Sequence, residues 1–461
     1  RRFVALLLAT AAILAHANPT IMHATVVHRH GDRSPILYLP NNPNNGRWHD
    51  MATGQLTALG MEELHGVGVA LRTRYVDTLG LLNANYTREQ VYIRSTGYDR
   101  TIQSSYSLQF GLWPPGTGPR KDDGSPGLTS DAVQPVPIRS VDRANDPLLR
   151  AYGDGVCSKY DTLHAAQFQS PEWKAMAAAH AGLIDSLQQT TGLSQPVTLE
   201  NIYNVADPLI CDNAHGYPPM PGFTYNDTET LADLNSFNIA QMFATPELQR
   251  LGGGPLVGEI ARRLAVAGGA PASSLPIPLD HSVVDPQASS DTGRQFVEYS
   301  AHDTTVAALL AALGLFDGKQ PPYASTVAFE LYHDAAVSGS AAYHVRIFYN
   351  KGPQPPTFTN ELHLPGCSST PCTLDEFLSS VRGAIPVDWK SECGDADSDG
   401  DSDDDLKEAR MQRDVLAGVL GVVAFALAVA AIVVIRRNRA RPHMPLHDSQ
   451  PLNGGHEHSG V

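Results

Sequence analysis

The sequence has no excess of basic charge. Its 33 Lys and Arg are outnumbered by 48 Asp and Glu, leaving a net charge of −15 at pH 7. A chain of that sign with scattered basic residues has no electrostatic footprint for nucleic acid. Much of the acidity sits in Asp395, Asp397, Asp399, Asp401, Asp403, Asp404 and Asp405, a run without apolar residues that reads as a solvated linker over 395–414. No internal repeat is present. Cysteine is scarce, at five residues, and the odd number leaves at least one without a partner in the chain. There is no initiator methionine, so the numbering is expected to begin inside a precursor.

The remaining composition, 42% hydrophobic and 18% charged over 461 residues, is globular. Both ends read as targeting segments. Arg1 and Arg2 precede an apolar run, and Ala15-His16-Ala17 has the small-x-small form of a signal-peptidase site, so residues 1–17 read as a signal peptide. Residues 415–435 are continuously apolar and long enough to cross a hydrocarbon core about 30 Å thick. Arg436, Arg437, Arg439 and Arg441 follow at once, which puts the tail 436–461 in the cytosol. The expectation is a single-pass type I membrane protein whose domain is lumenal or extracellular, at the cell surface or in the endosomal–lysosomal system. The tail contains no tyrosine, which excludes a tyrosine-based sorting signal. An oxidising compartment favours disulfides. Asn85-Tyr86-Thr87 and Asn226-Asp227-Thr228 are glycosylation sequons.

Within the exported part, Thr25-Val26-Val27 reads as a buried strand ending at Arg29-His30-Gly31. Thr57 can cap a helix that carries Leu64, Val67, Leu71 and Tyr75 at helical spacing. Val91-Tyr92-Ile93, residues 295–299, 327–332 and 343–349 repeat the strand pattern. This predicts an α/β core with a parallel sheet, in two parts, 18–147 and 269–394. Residues 148–268, rich in Ala, Leu, Gln and Glu, read as a helical cap inserted between them.

Two motifs carry chemistry. Arg29-His30-Gly31-Asp32-Arg33-Ser34-Pro35 stands where a strand ends, the place where open α/β sheets bind ligands. Arginine forks suit phosphate oxygens, and cations packed around one imidazole keep it neutral and nucleophilic. Ser300-Ala301-His302-Asp303-Thr304-Thr305 also follows a strand, and Asp303 or Thr304 can cap the helix behind it. The start of that helix favours an anion. A bare Arg-His-Gly turn or a capping Asp is individually commonplace; paired, they read as two half-sites.

With these motifs the chain resembles the histidine acid phosphatases of the histidine phosphatase superfamily (clade 2), in particular their lysosomal and prostatic branch. Gly54-Gln55-Leu56-Thr57, Ile93-Arg94-Ser95-Thr96, Asp99-Arg100-Thr101, residues 321–325, Leu364-Pro365-Gly366-Cys367, Trp389 and Cys393 share the resemblance, which spans residues 25–393. It implies a phosphoglycerate-mutase-like three-layer α/β/α core. It implies that His30 forms a covalent phosphohistidine, that Arg29, Arg33, Arg100 and His302 hold the phosphoryl oxygens, and that Asp303 protonates the leaving alcohol. The residues alone leave Arg94 and Arg100 both open as phosphate ligands; the resemblance favours Arg100. A protonated Asp303, its pKa raised by a nearby phosphate, predicts an acidic optimum. Small phosphomonoesters are the implied substrates, no metal or other cofactor is required, and a homodimer is compatible with the family.

The resemblance further implies the disulfides Cys157–Cys393 and Cys367–Cys372. A third family bridge would join Cys211 to the position held by Thr326, which makes Cys211 the free thiol. His28 departs from the family, where an apolar or aromatic residue is usual. It is expected to hydrogen-bond within the sheet rather than form a metal pair with His30, since no third ligand is spaced to join them. Alternative readings are an inactive receptor or adhesion ectodomain on the same fold, and a narrow-specificity phosphatase, phytase-like or acting on lipid phosphates. The inactive form is disfavoured by the presence of His30, Asp303 and every arginine.

Overall fold

The structure is a computed structural model that describes residues 18–394, apart from 49, 129, 154, 271–292 and 353. The expected signal peptide, acidic linker, membrane span, tail and most of the loop 268–292 lie outside the described residues. No helix among the described residues is long and apolar enough to cross a membrane.

Eight strands form one mixed sheet. Strands β1 (Thr20–Arg29), β2 (Val91–Thr96), β3 (Arg139–Val141) and β4 (Phe296–Ala301) run parallel in the order β3-β2-β4-β1. The other side of β1 is antiparallel: β5 (Thr326–His333), β6 (Tyr343–Asn350) and β7 (Glu361–Leu362) follow in line, and β8 (Cys372–Thr373) also pairs with β6. The expectation of a parallel sheet therefore holds for only one half. The reason is connection length. Residues 334–342 are too few to cross over, so β5 and β6 must turn back on each other.

The sheet separates two apolar cores. On one face Val26, Val91, Ile93 and Phe296 pack under α1 (Ala58–Arg72) and α2 (Asp99–Leu112). Thr57 Oγ1 accepts from the Gly60 N–H at the start of α1, and Leu64, Val67, Leu71 and Tyr75 are all buried, as their spacing predicts. A wider-coiled turn over Thr73–Thr78 extends α1 far enough to carry Tyr75 inward. On the opposite face Val27, Val297, Tyr299 and Phe329 meet α8 (Pro246–Ala267), α9 (Asp303–Ala312) and α10 (Leu374–Val381).

The segment 148–268 is helical, but its helices divide. Helices α4 (Pro171–Ala179), α5 (Ala181–Thr191), α6 (Tyr203–Ala214) and α7 (Tyr225–Gln241) enclose a separate core around Trp173, Leu187, Val205 and Leu231. Helix α3 (Ser158–Gln167) and α8 instead join the core of the sheet. Glycine explains the placement of α8. A Cβ at Gly253 would lie 2.1 Å from the Ala308 carbonyl oxygen, and one at Gly254 would lie 2.2 Å from that of Ala384. Only a residue without a side chain at 253 lets α8 approach α9 this closely.

Cys157–Cys393 ties the start of α3 to the end of α11 (Trp389–Glu392), and Cys367–Cys372 closes a short loop. Cys211, on α6, is free and buried. Asn85 and Asn226 are both exposed.

Candidate active site

The two motifs meet because β1 and β4 are parallel neighbours in register, with Arg29 opposite Ala301. Both strands end at the same edge, and the His30 N–H donates to the Ala301 carbonyl at 2.9 Å. Beyond β4 lies β2, whose end brings Thr96 within 3.0 Å of His302 Nε2. Three strand ends thus build one site, with His30 and His302 ring centroids 5.6 Å apart.

His30 is buried, and its Nδ1 lies 2.8 Å from the Gly31 carbonyl oxygen. A carbonyl only accepts, so Nδ1 carries the proton and Nε2 keeps its lone pair. Burial, followed by the guanidiniums of Arg100, Arg29 and Arg33, holds the imidazole well below its usual range. The ring is neutral, with a lone pair on Nε2. Gly31 is required by space: a Cβ there would sit 2.2 Å from the Gly60 carbonyl oxygen, where α1 abuts the loop.

Arg29, Arg33 and Arg100 surround that ring. Arg29 donates to the Pro321 carbonyl at 2.7 Å, pairs with Asp303 at 3.1 Å and lies over the Tyr323 ring at 4.1 Å. Arg33 is gripped by both oxygens of Asp207, at 2.5 and 3.2 Å. Arg100 lies over Tyr98 and donates to His302 Nδ1 at 3.4 Å, and among the described residues it has no carboxylate partner. Burial, then the neighbouring Arg33, lowers Arg100 to about 10. In each of the three guanidiniums the Nε–H is buried without a hydrogen-bond partner. Three unsatisfied cationic donors around one imidazole, with two carboxylates between them, are a cradle for an oxyanion.

Arg94, the other candidate, is paired elsewhere, although its Nε–H too is buried without a partner. It pairs with Asp146 at 2.5 Å deep under the sheet edge. His28 also has a structural place, with Nε2 3.1 Å from Glu298 and Nδ1 3.1 Å from the Arg29 carbonyl. Among the described residues no group of three or more His, Cys, Asp or Glu is placed to hold a metal ion.

Asp303 is the first residue of α9, and the cap position belongs to His302, in extended conformation, not to Asp303 or Thr304. The Asp303 carboxylate accepts from the Thr304 N–H at 2.8 Å and the Gln320 side-chain amide at 2.7 Å. Burial alone would raise its pKa, but the Arg29 guanidinium and the Gln320 amide overcome this and lower it to about 2. Before substrate arrives Asp303 is a carboxylate.

Sequence reasoning missed Asp207, Gln320 and Glu63. Asp207 lies in an ordinary helical stretch of α6, and nothing local to it points to Arg33. From the same helix Asp212 accepts from Asn42, Asn44 and Trp48, and His215, just past its end, lies 2.6 Å from Asp32. Glu63 accepts from the Asp32 N–H at 2.7 Å, and burial raises its carboxyl to about 7.

The pattern of the histidine phosphatase superfamily (branch 2) matches residues 20–350. The chain is 33% identical to human lysosomal acid phosphatase over 426 residues, covering 92% of this chain and 90% of that protein. It is 32% identical to human prostatic acid phosphatase over 373 residues, covering 80% and 86%. Among solved structures, a phytase from Citrobacter braakii superposes with a TM-score of 0.57 at 17% identity, covering 81% of this chain and 99% of that one.

Proposed function

Because the chain belongs to branch 2 of the histidine phosphatase superfamily, we propose that it is an acid phosphatase whose nucleophile is His30. The observation that carries the residue assignment is the neutral His30, with Nε2 unprotonated, set among three guanidiniums whose Nε–H groups have no partner. Phosphoryl transfer asks for in-line attack and for charge to be spread over the equatorial oxygens. Arg29, Arg33 and Arg100 supply the positive field and the donors, and His302, a neutral ring, reaches a phosphoryl oxygen by turning its Nε2–H from Thr96.

His30 Nε2 attacks phosphorus while the P–O bond to the alcohol breaks. The Nδ1 proton stays on the ring against the Gly31 carbonyl, so the intermediate is a phosphoimidazolium. A monoester monoanion brings one proton, which passes to Asp303 on binding and then to the departing alkoxide. Water next attacks the phosphohistidine, Asp303 takes its proton, and neutral His30 and phosphate remain. The substrates are small phosphomonoesters.

The reading extends to the whole chain. We assign the phosphoglycerate-mutase-like core with its inserted cap, a signal peptide, sugar on the exposed Asn85 and Asn226, and a type I anchor over 415–435. The lysosomal relatives support a lysosomal or membrane location.

A generic aryl phosphate tests the reading. The protein should release the aryl alcohol with a burst before steady state, and His30→Ala should show neither burst nor turnover. No activity in the unaltered protein, or full activity in the variant, would overturn the assignment.

A further inference from the structure

A cleft of about 610 Å³ opens beside the site, with Arg29, Tyr323 and Gln320 in its wall. Gln320 is the side chain that donates to Asp303. The cleft therefore adjoins the carboxyl group assigned above as the proton donor to the leaving alcohol.

The outer wall comes from α1, α6 and α7. Leu59, Ile210 and Ala232 make part of it apolar. Its two cations are both neutralised, Lys319 by Asp233 at 2.7 Å and Arg29 by Asp303 at 3.1 Å. Glu63 and Glu229, also in the wall, have no ion-pair partner among the described residues. The phosphate cradle is thus cationic, while the chamber next to it is apolar with uncompensated carboxyl groups.

We propose that this cleft is a leaving-group pocket that selects esters of apolar or cationic alcohols and rejects those whose alcohol carries further anionic groups, with Glu63 and Glu229 as the discriminating residues. The proposal rests on the phosphatase reading and specifies which esters that site takes. Selectivity arises by repulsion as much as by attraction. Each carboxylate placed near a substrate anion in this half-open setting costs roughly threefold to tenfold in rate. The effect is weakened by salt, because the cleft is open to solvent.

The test compares kcat/KM for phosphocholine, 3-phosphoglycerate and an inositol hexakisphosphate, with phenyl phosphate as the neutral reference. All are measured at one pH, at or just above the value of about 7 where the Glu63 carboxyl ionises. Phosphocholine should exceed 3-phosphoglycerate by about tenfold or more, and the hexakisphosphate should be the poorest. Glu63→Gln and Glu229→Gln should each narrow the first ratio about threefold or more. In Glu63→Gln the side-chain amide oxygen retains the acceptor for the Asp32 N–H. Added salt should narrow the ratio in the unaltered protein, a reading that needs no variant. Equal turnover of the anionic and cationic esters, or a ratio indifferent to both substitutions and to salt, would overturn the proposal. Absence of turnover even on phenyl phosphate would instead remove the phosphatase reading beneath it.

Discussion

Asp207 holds Arg33 with both carboxylate oxygens, and it does so from a cap helix, outside the core that carries every other charged group of the cradle. Both Nη atoms of Arg33 are committed to that grip, leaving Nε as the donor aimed elsewhere. The cap thereby sets the direction of an arginine that we assign to phosphate binding, as well as forming a wall.

Asp207→Ala should accordingly raise KM for aryl phosphate by at least about tenfold while His30 still forms the intermediate. Removing one partner of a buried charged pair leaves the other mispositioned and costs several kcal/mol. Burst amplitude measured at saturating substrate separates this from a loss of nucleophile.

Arg100→Ala should weaken inhibition by inorganic phosphate more than Arg94→Lys does, by about tenfold or more, because only Arg100 lacks a carboxylate partner. Inhibition constants for the two variants check the choice between the two arginines. Equal effects would return Arg94 to the cradle.

The pH dependence follows from Asp303. Its depressed pKa of about 2 makes it ionised throughout the working range, so the reactive pair is the Asp303 carboxylate with the monoanionic ester. Monoester phosphates lose their second proton near pH 6. The kcat/KM profile should therefore fall above about pH 6 and track the second pKa of the ester used. A set of esters with staggered pKa values measures this. An acidic optimum is expected on this basis too, with a different origin from a raised pKa of Asp303.

Asp303→Asn should slow alkyl phosphates by about 10²–10⁴-fold. Aryl phosphates, whose leaving groups need less protonation, should lose much less. A plot of kcat/KM against leaving-group pKa should steepen in the variant.

Cys211 should resist thiol reagents in the folded protein and react fully after denaturation. It is completely buried, and burial pushes its thiol pKa far up, so almost no thiolate exists at neutral pH. Timed alkylation followed by mass analysis reads this directly. Labelling at Cys157, Cys367, Cys372 or Cys393 without reductant would contradict the disulfide pairing.

The legible parts of the molecule were those written locally. Apolar runs ending in Arg29-His30-Gly31 and in Ala301-His302-Asp303 marked two strand ends, and the spacing of Leu64, Val67, Leu71 and Tyr75 marked α1. Pairing is not local. Nothing in the composition of β5 or β6 says that they run antiparallel, and only the short turn between them does. Helix α8 has the Ala- and Leu-rich look of the cap, but its Gly253 packs on α9 and its Gly254 on the Ala384 backbone. Asp207 is joined to Arg33 across 174 positions of chain, and no pattern along the sequence encodes such a contact. Likewise, the protonation state of Asp303 in the absence of substrate is set by Arg29 and Gln320 in space.

Strand β4 lies between β1 and β2 and is synthesised long after both. While a ribosome is making the cap, β1 and β2 have no common neighbour, and His30 stands without His302 or Asp303. The growing chain thus carries His30 in an incomplete setting until residues 296–303 have been made. In a phosphatase arranged in this way, the strand that closes the sheet is also the one that completes the site.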